Sequence, residues 1–175
     1  MAHFAVSAVG RDRPGIAAAI AAGLLEVEGN IEDSRMTNLG GHFAVMLLVS
    51  TPIADREAVA AALAPVRAEL ELEALTVAPV ADAAATASPD HVITVYGADH
   101  PGIVHAVTSG LADSGVNIAD LQTRVGGAPD SPIYMMILEV ELAGRDADAI
   151  AEKLRGIGSR SEVEIELRPL DAEAL

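Results

Sequence analysis

The chain contains no cysteine, which excludes disulfides, thiolate metal sites and thiol nucleophiles. It also has no tryptophan, and two Phe and two Tyr are its whole aromatic complement. A core must therefore be assembled from Val, Ile, Leu, Met and Ala. The same scarcity argues against a sheet that stacks RNA bases on aromatic rings. Basic residues are few: 11 Lys and Arg stand against 26 Asp and Glu, for a net charge of −15. Such a surface repels phosphate backbones and anionic membranes, so neither direct nucleic-acid binding nor membrane association is expected. The longest apolar run, Ile16 to Leu25, is far too short for a span. The first residues carry no basic n-region before Arg11-Asp12-Arg13, so no signal peptide is expected and a cytoplasmic location is.

What the chain does have is a repeat. Gly10-Arg11-Asp12-Arg13-Pro14-Gly15-Ile16 returns as Gly97-Ala98-Asp99-His100-Pro101-Gly102-Ile103, eighty-seven residues later. The same offset matches Asn30-Ile31 to Asn117-Ile118 and Asp33 to Asp120. Eleven of the thirty-two positions from residue 4 to 35 are identical to their partners, which makes this an internal duplication. Two domains follow, over 1–80 and 91–175, with the Ala-rich, aperiodic 81–90 as linker.

Each copy reads as strand, helix, strand, strand, helix, strand. In the first, Phe4–Val9 is a strand. Asp12-Arg13-Pro14 is then expected to start a helix, with Asp as cap and Pro in the first turn. Ile16, Ile20, Leu24 and Val27 recur at helical spacing, and Gly29-Asn30 stops the run. Ile31–Thr37 and Phe43–Val49 form a hairpin across Gly40-Gly41. A second helix covers Asp55–Ala64 and ends or kinks at Pro65; Leu70–Val77 is the fourth strand. The second copy repeats this, with a longer loop over Gly126–Pro132. The fold class is therefore α+β, with two ferredoxin-like βαββαβ domains. First and third strands are apolar on both faces and belong in the middle of the sheet; fourth strands alternate and belong at an edge, giving the order 4-1-3-2. With both helices on one face, the apolar residues of the other face need a cover, either the other half or a second chain. Met46, Met135 and Met136 are expected in the core.

Asp-Arg-Pro-Gly-Ile and Asp-His-Pro-Gly-Ile between strand and helix, followed by Asn-Ile opening the second strand, resemble ACT domains. These are regulatory modules that bind amino acids or similar metabolites at domain interfaces. The resemblance covers nearly the whole chain, twice, and a bare tandem pair looks most like the glycine cleavage system transcriptional repressor group. It implies a non-catalytic sensor acting on a partner protein, a homodimer, and ligand-binding residues Asp12, Arg13, Pro14, Gly15, Ile16, Asn30 and Ile31 in one copy. In the other they are Asp99, His100, Pro101, Gly102, Ile103, Asn117 and Ile118. Relatives with a serine site often carry a polar residue, commonly His, two positions before the loop Asp or Asn; here Gly10 and Gly97 stand there.

The chemistry can be argued from the residues themselves. Helix N-terminal amides can hold a carboxylate. Gly15 and Gly102 let a ligand approach the backbone. Asp12 or Asp99 can accept from an ammonium, and Asn30 or Asn117 can both donate and accept. The Asp and Asn of one copy lie at opposite ends of its helix, so they are expected to meet only across an interface, Asp12 with Asn117 and Asp99 with Asn30. Two bland alternatives stay open: Asp-x-Pro-Gly as a mere helix start, and Asn as a mere turn cap. At the level of function the alternatives are a ligand-free interaction module and a small ferredoxin-like enzyme. Against the enzyme, Arg13 is replaced by His100 in the second copy, and no nucleophilic triad or P-loop is present. No cofactor is expected. No metal is expected either, since the five-residue spacing of His100 and His105 puts them off a common helix face.

Overall fold

The computed structural model describes residues 1–80, 88–128 and 131–170. The chain divides into two compact units, residues 1–84 and 85–175. The first contains β1 (Ala2–Arg11), α1 (Ile16–Leu25), β2 (Asn30–Leu39), β3 (His42–Thr51), α2 (Arg56–Glu69) and β4 (Ala74–Val80). The second contains β5 (His91–Ala98), α3 (Ile103–Asp113), β6 (Asn117–Ala128), β7 (Ser131–Glu141), α4 (Ala147–Arg160) and β8 (Val163–Pro169). Each unit has one antiparallel sheet, ordered β2-β3-β1-β4 and β6-β7-β5-β8. That is the expected α+β, ferredoxin-like order 4-1-3-2 read from the other edge. Most of the expected 81–90 linker, residues 81–87, lies outside the described residues.

Each helix pair packs on one face of its own sheet. In the first unit Phe4, Val6 and Ala8 of β1 and Phe43, Val45, Leu47 and Val49 of β3 are buried against Ile16, Ile20, Leu24, Val59, Leu63 and Val66. In the second, Ile93, Val95, Met136, Leu138 and Val140 meet Ile103, Val107, Leu111, Ile150, Leu154 and Ile157. Fully burying each Val, Leu or Ile contributes about 1.5–3 kcal/mol. Gly23 and Gly110 stand where helix meets helix: an added Cβ would lie 3.0 Å from Leu63 and 2.3 Å from Ile157 respectively. Thr51, fully buried, donates from its hydroxyl to the Val27 carbonyl at 2.5 Å and accepts from the Ile53 amide at 3.1 Å.

The opposite sheet faces are apolar and open. Met46 of β3 is 60% exposed and Ile137 of β7 51% exposed. Met135 is exposed as well, so only Met136 of the three methionines is core. A strand apolar on both sides shows where it sits in the sheet, and the helices cover one side only.

Several boundaries differ from the sequence reading. α2 does not end at Pro65 but runs through it to Glu69. Pro65 is on the exposed side, where water can satisfy the carbonyl left without its N–H partner. β4 begins at Ala74, because Leu70 to Glu73 form the exit from α2, with Glu71 at φ 50°. β4 also runs on past Val77 to Val80, with Pro79 paired with Phe4, as an edge strand allows. The expected loop over 126–132 is partly strand: Gly126, Gly127 and Ala128 pair with Ile133, Pro132 and Ser131, and residues 129–130 lie outside the described residues.

Candidate functional site

Both Asp-x-Pro-Gly segments bridge the first strand and first helix of their unit, and the helices start later than the sequence suggests. α1 begins at Ile16 and α3 at Ile103, each preceded by a left-handed glycine, Gly15 at φ 96° and Gly102 at φ 103°. An L side chain is strained there, although an added Cβ would meet nothing within 4 Å at either position. Ile16 and Ile103 are buried anchors beneath the helix start. Pro14, Gly15, Pro101 and Gly102 are exposed.

Neither loop Asp caps its helix, contrary to expectation. α1 and α3 have no side-chain cap and no acidic residue in the first turn. The second helices are built the other way. Asp55 accepts from the Glu57 amide at 2.9 Å, Asp146 from the Asp148 and Ala149 amides at 3.0 and 3.2 Å, and each helix has an acid in its first turn. Of the four helix N-termini among the described residues, two are thus closed by carboxylates and two present bare amides beside a side-chain-free glycine. Such an end attracts an anion.

The Asp carboxylates themselves are placed differently. Asp12 accepts from the Asn38 side-chain amide at 2.6 Å, and its backbone N–H donates to Gly41 at 3.0 Å, tying the loop to the β2–β3 turn. Val125 holds the position corresponding to Asn38, opposite Tyr134 as Asn38 is opposite Phe43. Asp99 accordingly has no hydrogen-bond or ion-pair partner among the described residues.

Arg13 and His100 differ in type but reach the same place. An Arg13 Nη2–H donates to the carbonyl of Leu70, the residue that ends α2, and lies 3.6 Å from Glu71. Its Nε is buried without a partner among the described residues. The His100 Nε2 lies 2.7 Å from the carbonyl of Ser161, which ends α4, and Nδ1 lies 3.1 Å from the Pro101 carbonyl. The Ser161 carbonyl, then that of Pro101, raise the His100 pKa above its ordinary value, helped by Glu162 and Asp99 and opposed by slight burial. Gly10 and Gly97 have a packing explanation: an added Cβ would stand 2.9 Å from Leu72 at Gly10, and 2.7 Å from Val163 and 3.0 Å from the Glu162 carbonyl at Gly97. A side chain at Gly97 would run into backbone, whereas one at Gly10 would have to displace the end of the Leu72 side chain.

Asn30 and Asn117 open the second strands and are exposed. Neither caps the preceding turn. Glu28, at φ 49°, and Gly115, at φ 67°, supply the left-handed residue, and backbone bonds Gly29 N–H to Leu24 and Val116 N–H to Leu111 close the turns. The side-chain amides have no hydrogen-bond partner among the described residues. Ile31 is partly exposed, while Ile118 packs at the edge of its core. Within the first unit Asn30 pairs with Ser50, whereas Asp12 sits beside Gly41. Those partners are the two ends of β3, about 30 Å apart at ~3.3 Å per residue. Neither unit brings its own Asp and Asn together.

A groove of about 1130 Å³ runs along α4 and β8, lined among others by Arg155, Glu162, Glu164 and Glu166. It contains no residue of either loop, and its three carboxylates suit an anionic ligand poorly. Among the described residues no three His, Asp or Glu are grouped as metal ligands, and no helix is long and apolar enough to cross a membrane.

Two family models, each described as an ACT domain, match residues 2–76 and residues 91–159 respectively. The chain therefore belongs to the ACT-domain family, in which it carries two domains in tandem. Its fold is similar along nearly the whole length to that of an unknown protein from Galdieria sulphuraria, at 28% identity and a TM-score of 0.81, covering 97% of this chain and 98% of the other. A candidate glycine cleavage system transcriptional repressor shares the fold at 20% identity and a TM-score of 0.76, covering 97% of each chain. A UPF0237 protein of Methanopyrus kandleri is 39% identical over 64 residues, which span 37% of this chain and 64% of that relative.

Proposed function

We propose that this protein senses a small amino acid at interfaces between its ACT domains and conveys occupancy to a partner protein. The observation that carries the reading is the pair of uncapped helix starts. Each offers free backbone amides next to a left-handed glycine and an Asp that does not cap, while the other two helices of the same chain are capped in the ordinary way. A zwitterion's carboxylate fits the amides and its ammonium fits the Asp. Asn30 and Asn117, exposed and unpartnered, complete a site only when supplied by another domain, so Asp12 is assigned to Asn117 and Asp99 to Asn30.

The role proposed is non-catalytic and cytoplasmic, in a homodimer whose ligand-dependent interface shifts a partner's activity. Transcriptional control of amino-acid or one-carbon metabolism is the process proposed for that partner. At a charge of −15 the nucleic acid would be touched by the partner and not by this chain. A thermal-shift and calorimetric panel of the twenty amino acids on the intact chain tests the reading. Binding of one raises the melting temperature by mass action, and Asn117→Ala should abolish that gain at the site containing Asp12. A flat response to the whole panel favours a ligand-free interaction module instead.

A further inference from the structure

The histidine of the second loop is bonded in a way that only one of its protonation states can satisfy. Both ring nitrogens of His100 face carbonyl oxygens, Ser161 at 2.7 Å and Pro101 at 3.1 Å. A carbonyl oxygen only accepts, and a neutral imidazole has one N–H to give. The imidazolium has two. As the neutral ring, His100 must set a nitrogen lone pair against one of those oxygens, and either the Pro101 or the Ser161 contact is lost.

The two contacts differ in reach: the first closes within the loop and the second ties it to another element. Pro101 belongs to the Asp-x-Pro-Gly loop, and Ser161 ends α4, whose C-terminal carbonyls favour a cation. The charged groups acting on the ring are Glu162, in the turn after α4, and Asp99, on its own loop; both are anionic and favour the proton. The first copy makes the corresponding link with Arg13, which donates to Leu70 at the end of α2 beside Glu71. A guanidinium stays charged at every relevant pH.

We propose that Arg13 and His100 are positioning residues that pin each Asp-x-Pro-Gly loop to the end of the second helix, and that the second pin is complete, with both ring nitrogens donating, only when His100 is protonated; the neutral Nε2–H ring keeps the Ser161 bond and gives up the Pro101 one. The second loop is thus tightened by a proton and the first is not. Ligand capture by Asp99, Gly102 and the α3 amides should accordingly be stronger on the acid side. That consequence for affinity rests on the amino-acid reading above; the proton dependence of the loop does not.

The test uses the full chain without ligand. Imidazole nitrogen shifts give the His100 titration, and carbon relaxation of residues 99–103 and 12–16 reports loop order at pH 5.5 and 8.5. The expected result is a His100 pKa above about 6.5, a 99–103 segment ordered at the lower pH and loosened at the higher, and a 12–16 segment alike at both. His100→Arg should keep 99–103 ordered throughout, and His100→Gln should loosen it throughout. Should the arginine variant fail to fold, the wild-type titration and the glutamine variant decide the matter. A His100 pKa at or below 6.5, or equal order of 99–103 at both pH values, overturns the proposal. An empty amino-acid panel leaves either outcome standing.

Discussion

The first and second copies solve the same local problems with different residues. At the end of the first helix, Glu28 takes the left-handed position in one copy and Gly115 in the other. Beside the Asp-x-Pro-Gly loop, Asn38 binds Asp12 where Val125 leaves Asp99 unpartnered among the described residues. The loop itself is tied to the second helix by arginine in one copy and histidine in the other. The backbone path is common and the side chains that secure it are not. The duplication therefore yields two loops of unequal character: a first held at several points with its carboxylate engaged, and a second held through a histidine ring with its carboxylate unpartnered among the described residues.

The largest measurable contrast between the copies should come from their strand-end glycines. Gly97→Ala drives a methyl against the Val163 side chain and the Glu162 backbone, whereas Gly10→Ala meets chiefly the movable end of Leu72. The first should cost about 2 kcal/mol and the second clearly less, as read by amide exchange localised to each unit. Equal losses would remove the packing account of Gly97.

Next come the capping acids. Asp55→Ala and Asp146→Ala should each cost about 1 kcal/mol, while Asp99→Ala should change stability by less than about 0.5 kcal/mol. If Asp99→Ala proves as damaging as Asp146→Ala in urea melts followed by exchange, the uncapped description of α3 is wrong.

A third contrast concerns acid. Asp90 accepts from the Leu142 amide at 2.8 Å and the Ala143 amide at 3.3 Å and lies 2.8 Å from His91. The Leu142 bond, then His91, hold its pKa below the ordinary carboxylate value. Since the folded pKa is depressed, the stabilisation is present above about pH 3.9 and is lost as pH falls through the lower folded value. The group is partly exposed, so the effect should be about 1 kcal/mol. His3 holds the corresponding place in the first unit, eighty-seven positions earlier. Acid titration below pH 4 should weaken the second unit in the wild type, and Asp90→Asn should flatten that slope.

The smallest effect is expected at Glu28. Glu28→Gly should stabilise the first unit by about 0.5–1 kcal/mol by removing left-handed strain. Gly115→Ala in the second unit should do the reverse, which paired thermal melts can check.

Repetition and periodicity made the architecture legible. Ile16, Ile20, Leu24 and Val27 are all buried as their spacing required, and apolarity on both strand faces located the central strands. Local chemistry misled at the loops. Asp before Pro-Gly reads as a cap, yet Gly15 and Gly102 in the left-handed conformation delay the helix and direct the Asp elsewhere. Nothing in the spacing shows that Arg13 and His100 reach carbonyls fifty-seven and sixty-one residues away. Such contacts depend on where the end of the second helix lands. Read from the sequence, His100 is only a replacement for Arg13; their shared position in the repeat, together with a cationic form available to both, is the signal that would have paired them.

The few rings in the molecule are segregated. Phe4 and Phe43 lie in the core of the first unit, whereas Tyr96 stands on the open sheet face of the second and Tyr134 is buried there, its hydroxyl donating to the Met136 sulfur at 3.6 Å. With no tryptophan in the chain, light absorbed at 280 nm comes from the second half alone. A melt followed by intrinsic fluorescence will therefore record one domain and be nearly blind to the other, and a tryptophan placed in the first would give each its own signal.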